Sequence, residues 1–141
     1  MNLDARVRDV GEIATRYLFD LVVDLSPRVE FGDGRVFFAS AGGTFHGPRL
    51  HGEVLPGGGD WAVFRPDGTM TLDVRLALRT HDGALLHLTY RGRRTSSGTY
   101  FRTNPLFETG AEQYAWLNDV VGVGSGYLVD GGVAYRIAEV L

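Results

Sequence analysis

Between Thr69 and Thr80 the chain alternates with a period of two, placing Met70, Leu72, Val74, Leu76 and Leu78 on one side and Thr71, Asp73, Arg75, Ala77 and Arg79 on the other. That period belongs to a β-strand, whose successive side chains point to opposite faces of a sheet. Burying each large apolar side chain is worth about 1.5–3 kcal/mol, so the apolar face has to be covered. This one segment therefore demands a sheet with a protected inner surface.

Other β-type runs follow the same logic: Tyr17 to Leu25, Arg35 to Ser40, Arg49 to Leu55, Trp61 to Phe64, Ala84 to Arg91, Thr99 to Thr103, Gln113 to Val121 and Val133 to Val140. Turn signals separate them. Pro66-Asp67-Gly68 presets φ with proline and supplies a positive φ with glycine, and His81-Asp82-Gly83 turns the longest strand into its hairpin partner. Glycine supplies 20 of the 141 residues, about double the usual ~7%, without a repeat, so it marks bends. About eight or nine strands are predicted, and closing them into an antiparallel barrel removes the exposed edges. A helical stripe is confined to Leu3, Val7, Val10 and Ile13, so residues 1–15 are read as a short helix or extended arm and residues 16–141 as one all-β domain. A chain this long buries roughly 68–70% of its unfolded surface, enough for a core without staples.

Composition narrows the function. There is no cysteine, hence no disulfide, thiolate ligand or cysteine nucleophile. The net charge of −3 argues against nucleic acid as a partner, and Arg91-Gly92-Arg93-Arg94 reads as a solvated hairpin end. The charged N-terminus and the lack of a long apolar run predict a cytoplasmic protein without a membrane partner. The 4 histidines lack the spacing of a metal site, so no metal is expected. Gly57-Gly58-Gly59 is followed by neither Lys-Ser/Thr nor a helix, which removes a phosphate loop, and Val123-Gly124-Ser125-Gly126 misses the nucleophile-elbow spacing.

Several multi-residue signatures occur together: Gly-Pro-Arg-Leu at 47–50, Pro-Gly-Gly-Gly-Asp-Trp at 56–61, Asp-Gly-Ala-Leu at 82–85, Phe-Arg-Thr at 101–103, Phe-Glu-Thr-Gly at 107–110 and Tyr-Ala-Trp-Leu-Asn at 114–118. With these, the stretch from Arg16 to Leu141 resembles the bacterial and fungal family catalogued as domain of unknown function 3237. The resemblance implies a closed antiparallel barrel similar to that of allene oxide cyclase, often in a small homo-oligomer such as a dimer. The chain departs from the family pattern in being short between Arg91 and Tyr100 and compact from Phe31 to Arg35, which predicts a more open barrel mouth.

Small barrels either fill their interior or hold one small ligand, so inward polar residues are the informative ones. Asp60, entered through three glycines and followed by Trp61, is either a desolvated general acid or base or the cap of its own turn, with Trp61 facing inward beside it. Asp73 and Arg75 share a face that is either the lumen or the solvent side. Glu108 is a second candidate carboxylate. At strand period Tyr114, Trp116 and Asn118 share one face, as a pocket wall or as core. Tyr90, Tyr100 and Arg102 are further donors.

These residues lead to an expectation of a cofactor-independent acid-base enzyme of cyclase, isomerase or lyase type, acting on a small, partly apolar carbonyl or polyketide-like molecule. Asp60 would be the base, Glu108 or Tyr100 the acid, and Arg75 and Asn118 would orient the substrate. The alternatives are a non-catalytic, lipocalin-like carrier and an oligomeric accessory protein with a filled barrel.

Overall fold

The computed structural model describes residues 4–141. Eleven strands run in chain order: β1 (Thr15–Leu25), β2 (Val29–Gly32), β3 (Arg35–His46), β4 (His51–Val54), β5 (Gly59–Phe64), β6 (Met70–Thr80), β7 (Leu85–Arg94), β8 (Phe101–Thr103), β9 (Leu106–Glu108), β10 (Gly122–Val129) and β11 (Gly132–Val140). A 3-10 helix, Glu112–Asp119, lies between β9 and β10.

All pairings are antiparallel, and they close. β1 lies between β3 and β11, β10 joins β11 to β8, and β7 returns to β6. Two walls are interrupted strands. β4 covers one end of the gap between β3 and β6, pairing Gly43–His46 and Leu78–Thr80, while β5 covers the other, pairing Arg35–Ala39 and Met70–Arg75. β8 and β9 likewise share β7, at Gly92–Arg94 and His87–Thr89. Counting each interrupted pair once gives a closed eight-stranded barrel, with β2 folded against β3 on the outside.

The apolar face of β6 points inward, as its alternation requires, with Leu72, Val74, Leu76 and Leu78 all buried. One half of the lumen is solid: Phe19, Leu21, Phe45, Leu50, Leu78, Leu86, Leu88, Leu117 and Ile137 are each 0–2% exposed. Phe19 packs against the rings of Phe45 and Phe107 there, at 5.5 and 5.9 Å. The other half is hollow.

Two elements differ from the sequence expectation, and the N-terminal segment, left open there between helix and arm, is not helical. Residues 4–14 contain no helix; Val7, Val10 and Ile13 are 62–87% exposed along an extended arm, so the apolar stripe finds no surface to pack on, and Leu3 lies outside the described residues. A helix this short is marginal without tertiary packing. The expected strand from Gln113 is a 3-10 helix, because the pair that reaches the core is Tyr114 and Leu117, three apart and eclipsed on a helix of three residues per turn. β10 has little apolar face to reveal it: apart from Leu128 at the cavity, its inward positions are Gly122, Gly124 and Gly126, where a Cβ would lie 2.3–2.7 Å from Pro105, Thr103 and Phe101. Bare backbone lets these neighbours fill the lumen instead.

Residues 55–58 make the step from β4 to β5. Gly58 has φ of 70° and exchanges backbone contacts with β3, its carbonyl accepting from the Ser40 N–H at 3.1 Å. A Cβ on Gly58 would lie 2.4 Å from the Arg75 carbonyl oxygen, whereas at Gly57, with φ of 92°, it would meet open space. Gly57→Ala is therefore expected to cost about 1–2 kcal/mol, the left-handed penalty alone. Gly58→Ala should cost about 3 kcal/mol or more, from strain and collision together. Urea denaturation of the two variants measures the difference.

Candidate functional site

The hollow half encloses a cavity of about 210 Å³. Its wall is mostly aliphatic and aromatic, including Val23, Phe38, Leu72, Val74 and Phe101. Four side chains with polar ends line it: Asp60, Tyr90, Tyr135 and Arg94.

Asp60 sits on β5 opposite Phe38 of β3 and Val74 of β6. The β5–β6 ladder pairs Asp60 with Val74 and Val63 with Thr71, and the Asp73 N–H between them donates to Asp60 Oδ1 at 2.9 Å. Thus one carboxylate oxygen substitutes for a ladder acceptor. The other has no hydrogen-bond partner among the described residues, and no fully buried side-chain oxygen lacks one, so it is open to the cavity. Burial is the main influence on this carboxyl and outweighs the Asp73 N–H, raising its pKa from 3.8 to about 6.

Tyr90 of β7 and Tyr135 of β11 face one another across the lumen, ring centroids 5.1 Å apart, and Phe101 meets Tyr135 edge-on at 5.5 Å. Burial pushes both phenols well above their ordinary range, and the nearby Asp60 charge adds to it. Both remain protonated donors at any physiological pH. The cavity thus holds a carboxyl group that changes charge near neutrality beside two fixed O–H groups.

Of the residues singled out in the sequence, Asp60 and Tyr90 meet in this cavity. Trp61 points the opposite way, since neighbouring residues on a strand alternate: its indole is 56% exposed and stacks on Phe37 at 4.1 Å, with Phe31 beyond at 6.1 Å. Asp73 and Arg75 lie on the outer face, Asp73 facing Arg91 at 3.9 Å. Glu108 is exposed on β9 opposite His87, on the outside of the wall and away from Asp60. Tyr100 and Arg102 pack on each other at the surface, 5.3 Å from guanidinium to ring.

The 3-10 helix closes the solid end. Tyr114 donates its hydroxyl to the Asp82 carboxylate at 3.0 Å, Trp116 lies under the Arg49 guanidinium, and Asn118 bonds both backbone groups of Thr109. Arg49 also pairs, with Arg16, to Glu139. These residues are structural closure of the barrel end, remote from the hollow half. Among the described residues no cluster of His, Asp or Glu is placed to hold a metal ion, although His46, His51 and His81 stack in a row at 5.5 and 4.0 Å. Nor is any helix long and apolar enough to cross a membrane.

Tyr135 joins the site without a signal of its own, and Arg94 departs from the solvated hairpin end expected of its arginine run, yet both continue an inward parity readable in the sequence. Tyr135 lies between Val133 and Ile137, and Arg94 extends the series Leu86, Leu88, Tyr90.

Residues 13–140 match the family model described as Protein of unknown function (DUF3237). The chain belongs to the DUF3237 family. Within it, a UPF0311 protein of Rhodopseudomonas palustris is 32% identical, covering 80% of this chain and 87% of that one. A β-barrel like protein of Acinetobacter baumannii superposes with a TM-score of 0.87 at 31% identity, covering 94% of this chain and 99% of the other. A fungal protein named hydroalkoxylation enzyme phnH, from Penicillium herquei, is 33% identical over 60% of this chain and 52% of its own length. The crystal structure of an enzyme from the same fungus has a similar barrel fold, with a TM-score of 0.77 at 23% identity, covering 99% of this chain and 100% of that one.

A buried acid that holds its proton in the folded state to about pH 6, and releases it near 3.8 when unfolded, has a definite effect on stability. Below pH 3.8 the proton is bound in both states and costs nothing. As pH rises from there to 6 stability falls, and above 6 the full penalty of roughly 3 kcal/mol is present. Asp60→Asn keeps an acceptor for the Asp73 N–H without the charge. It should raise the melting temperature at pH 8 and lose that advantage near pH 4, as thermal scans across pH will show.

Proposed function

We propose that this protein is an acid-base enzyme that isomerises or cyclises a small, partly apolar carbonyl compound, or catalyses elimination/addition on it, inside the barrel lumen. The observation that carries the reading is the open Asp60 oxygen within an apolar cavity, on a carboxyl group held near pKa 6. At pH 7 about a tenth of such a group is protonated, so it both accepts and returns protons within one turnover. Fold alone would not support chemistry. The fungal relative's name, a hydroalkoxylation enzyme, adds weight, since adding an O–H across a carbon–carbon double bond is an acid-base reaction of this kind.

In the proposed sequence the Asp60 carboxylate takes a proton from a substrate O–H or from a C–H beside its carbonyl. Tyr90 or Tyr135 donates a hydrogen bond to the oxygen on which negative charge collects. In isomerisation, cyclisation or internal addition the proton on Asp60 then passes to another atom of the same molecule and the composition is unchanged. In elimination it passes to the departing oxygen as the carbon–oxygen bond breaks, releasing water or an alcohol. Either way the enzyme ends as it began. Glu108 and Tyr100 take no part, being on the outer face. The apolar wall serves by excluding water, which keeps Asp60 basic and its intermediate unhydrated.

Small hydroxy-enones that bind are the compounds to assay, with product detected by NMR. With a substrate in hand, Asp60→Asn should lower kcat by about 100-fold or more, and Tyr90→Phe by about 10-fold or more, with little loss of affinity. Glu108→Gln should stay near wild type. As Asp60 is the base, kcat/KM should rise with pH through a midpoint near 6. Binding without turnover by the wild type, across every compound the cavity accepts, would instead make the barrel a carrier.

A further inference from the structure

Arg94 has no place in the proton transfer, yet it is the only cation lining the cavity among the described residues. Its neighbours Arg91 and Arg93 point outward, where Arg91 faces Asp73. Arg94 instead lies on the inward parity of β7, paired across the ladder with Met70 and Phe101, both of which line the cavity. Its guanidinium rests against Gly98, where an added Cβ would come within 3.0 Å of Nη2. Among the described residues it forms no ion pair and no hydrogen bond.

Position and size give this cation a meaning. Arg94 is four residues along β7 from Tyr90, roughly 13 Å at strand rise, and is the last residue of the strand, so it marks the mouth while Tyr90 and Asp60 mark the depth. A cavity of about 150 Å³ accommodates benzene, so about 210 Å³ has room for a second fused ring. A half-buried guanidinium without an acidic partner is a fork of donors for carboxylate or another oxyanion, strengthened by the apolar wall beside it.

We infer that the cavity takes a flat, roughly two-ring ligand carrying an anionic oxygen, which Arg94 holds at the mouth while the apolar body extends inward toward Asp60 and Tyr90. The inference shares its cavity with the acid-base reading and deepens it by naming the substrate class and its orientation. Arg94 is then the residue that selects for charge.

The probes are 2-naphthoate and its neutral isostere 2-naphthamide, titrated calorimetrically at pH 8 into the wild type and three variants. The wild type should prefer the naphthoate by about 10-fold or more. Arg94→Met should remove that preference by weakening naphthoate alone, leaving naphthamide within about twofold, and Arg94→Lys should keep part of it. The inference is overturned if the wild type binds neither compound or does not distinguish them. It is equally overturned if a folded Arg94→Met protein retains the preference or loses both ligands together. Asp60→Asn separates the two proposals: it should bind naphthoate with the preference intact, whatever the turnover assay shows.

Discussion

Closure of the sheet is the constraint on which everything else depends. Once β7 returns to β6, each strand has one face toward a shared interior and one toward the outside, and the two-residue period leaves no freedom within a regular strand. The five apolar residues of β6 take the inside. That choice then sends Asp73 and Arg75 outward, and through the ladder it fixes Asp60 inward and Trp61 outward. A single carboxylate is thereby carried into an apolar interior by the backbone pairing of its neighbours.

The cost of that placement is only partly offset. One ladder N–H satisfies one oxygen, but a single hydrogen bond is weaker than the desolvation of a charge. The remaining imbalance appears as a lifted pKa, with the same free energy expressed as a loss of fold stability as pH rises from 3.8 to about 6. Glu139, also turned inward, shows the contrast: two guanidiniums reach it from Arg16 and Arg49, and their pull holds its carboxyl below the usual range despite an opposing desolvation. Two inward carboxylates on one barrel thus differ because one end supplies cations and the other supplies methyl groups and rings.

How much of this is legible in the sequence follows from where the information lies. The strand from Thr69 to Thr80 declares itself through its own alternation, and Asp60 is flagged by three glycines beside it. β10 hides, because three of its four inward residues are glycines whose reason is the side chains of another segment, Phe101, Thr103 and Pro105. Tyr114, Trp116 and Asn118 mislead for a similar reason: a strand period fits them, but the contacts that decide are those of Tyr114 and Leu117, at a period of three. Arg94 is obscured by its company in an arginine run, although its parity with Tyr90 is readable. Local pattern reveals which face a residue takes; it does not reveal which partners wait on that face.

The interrupted wall of β4 and β5 has a wider meaning. The chain crosses from one to the other at the level where the packed half of the lumen gives way to the hollow half, so the two halves are walled by different segments of what is otherwise one strand position. Substitutions at Asp60 or Phe64 reshape the chamber directly, whereas Val54 on β4 belongs to the packed core.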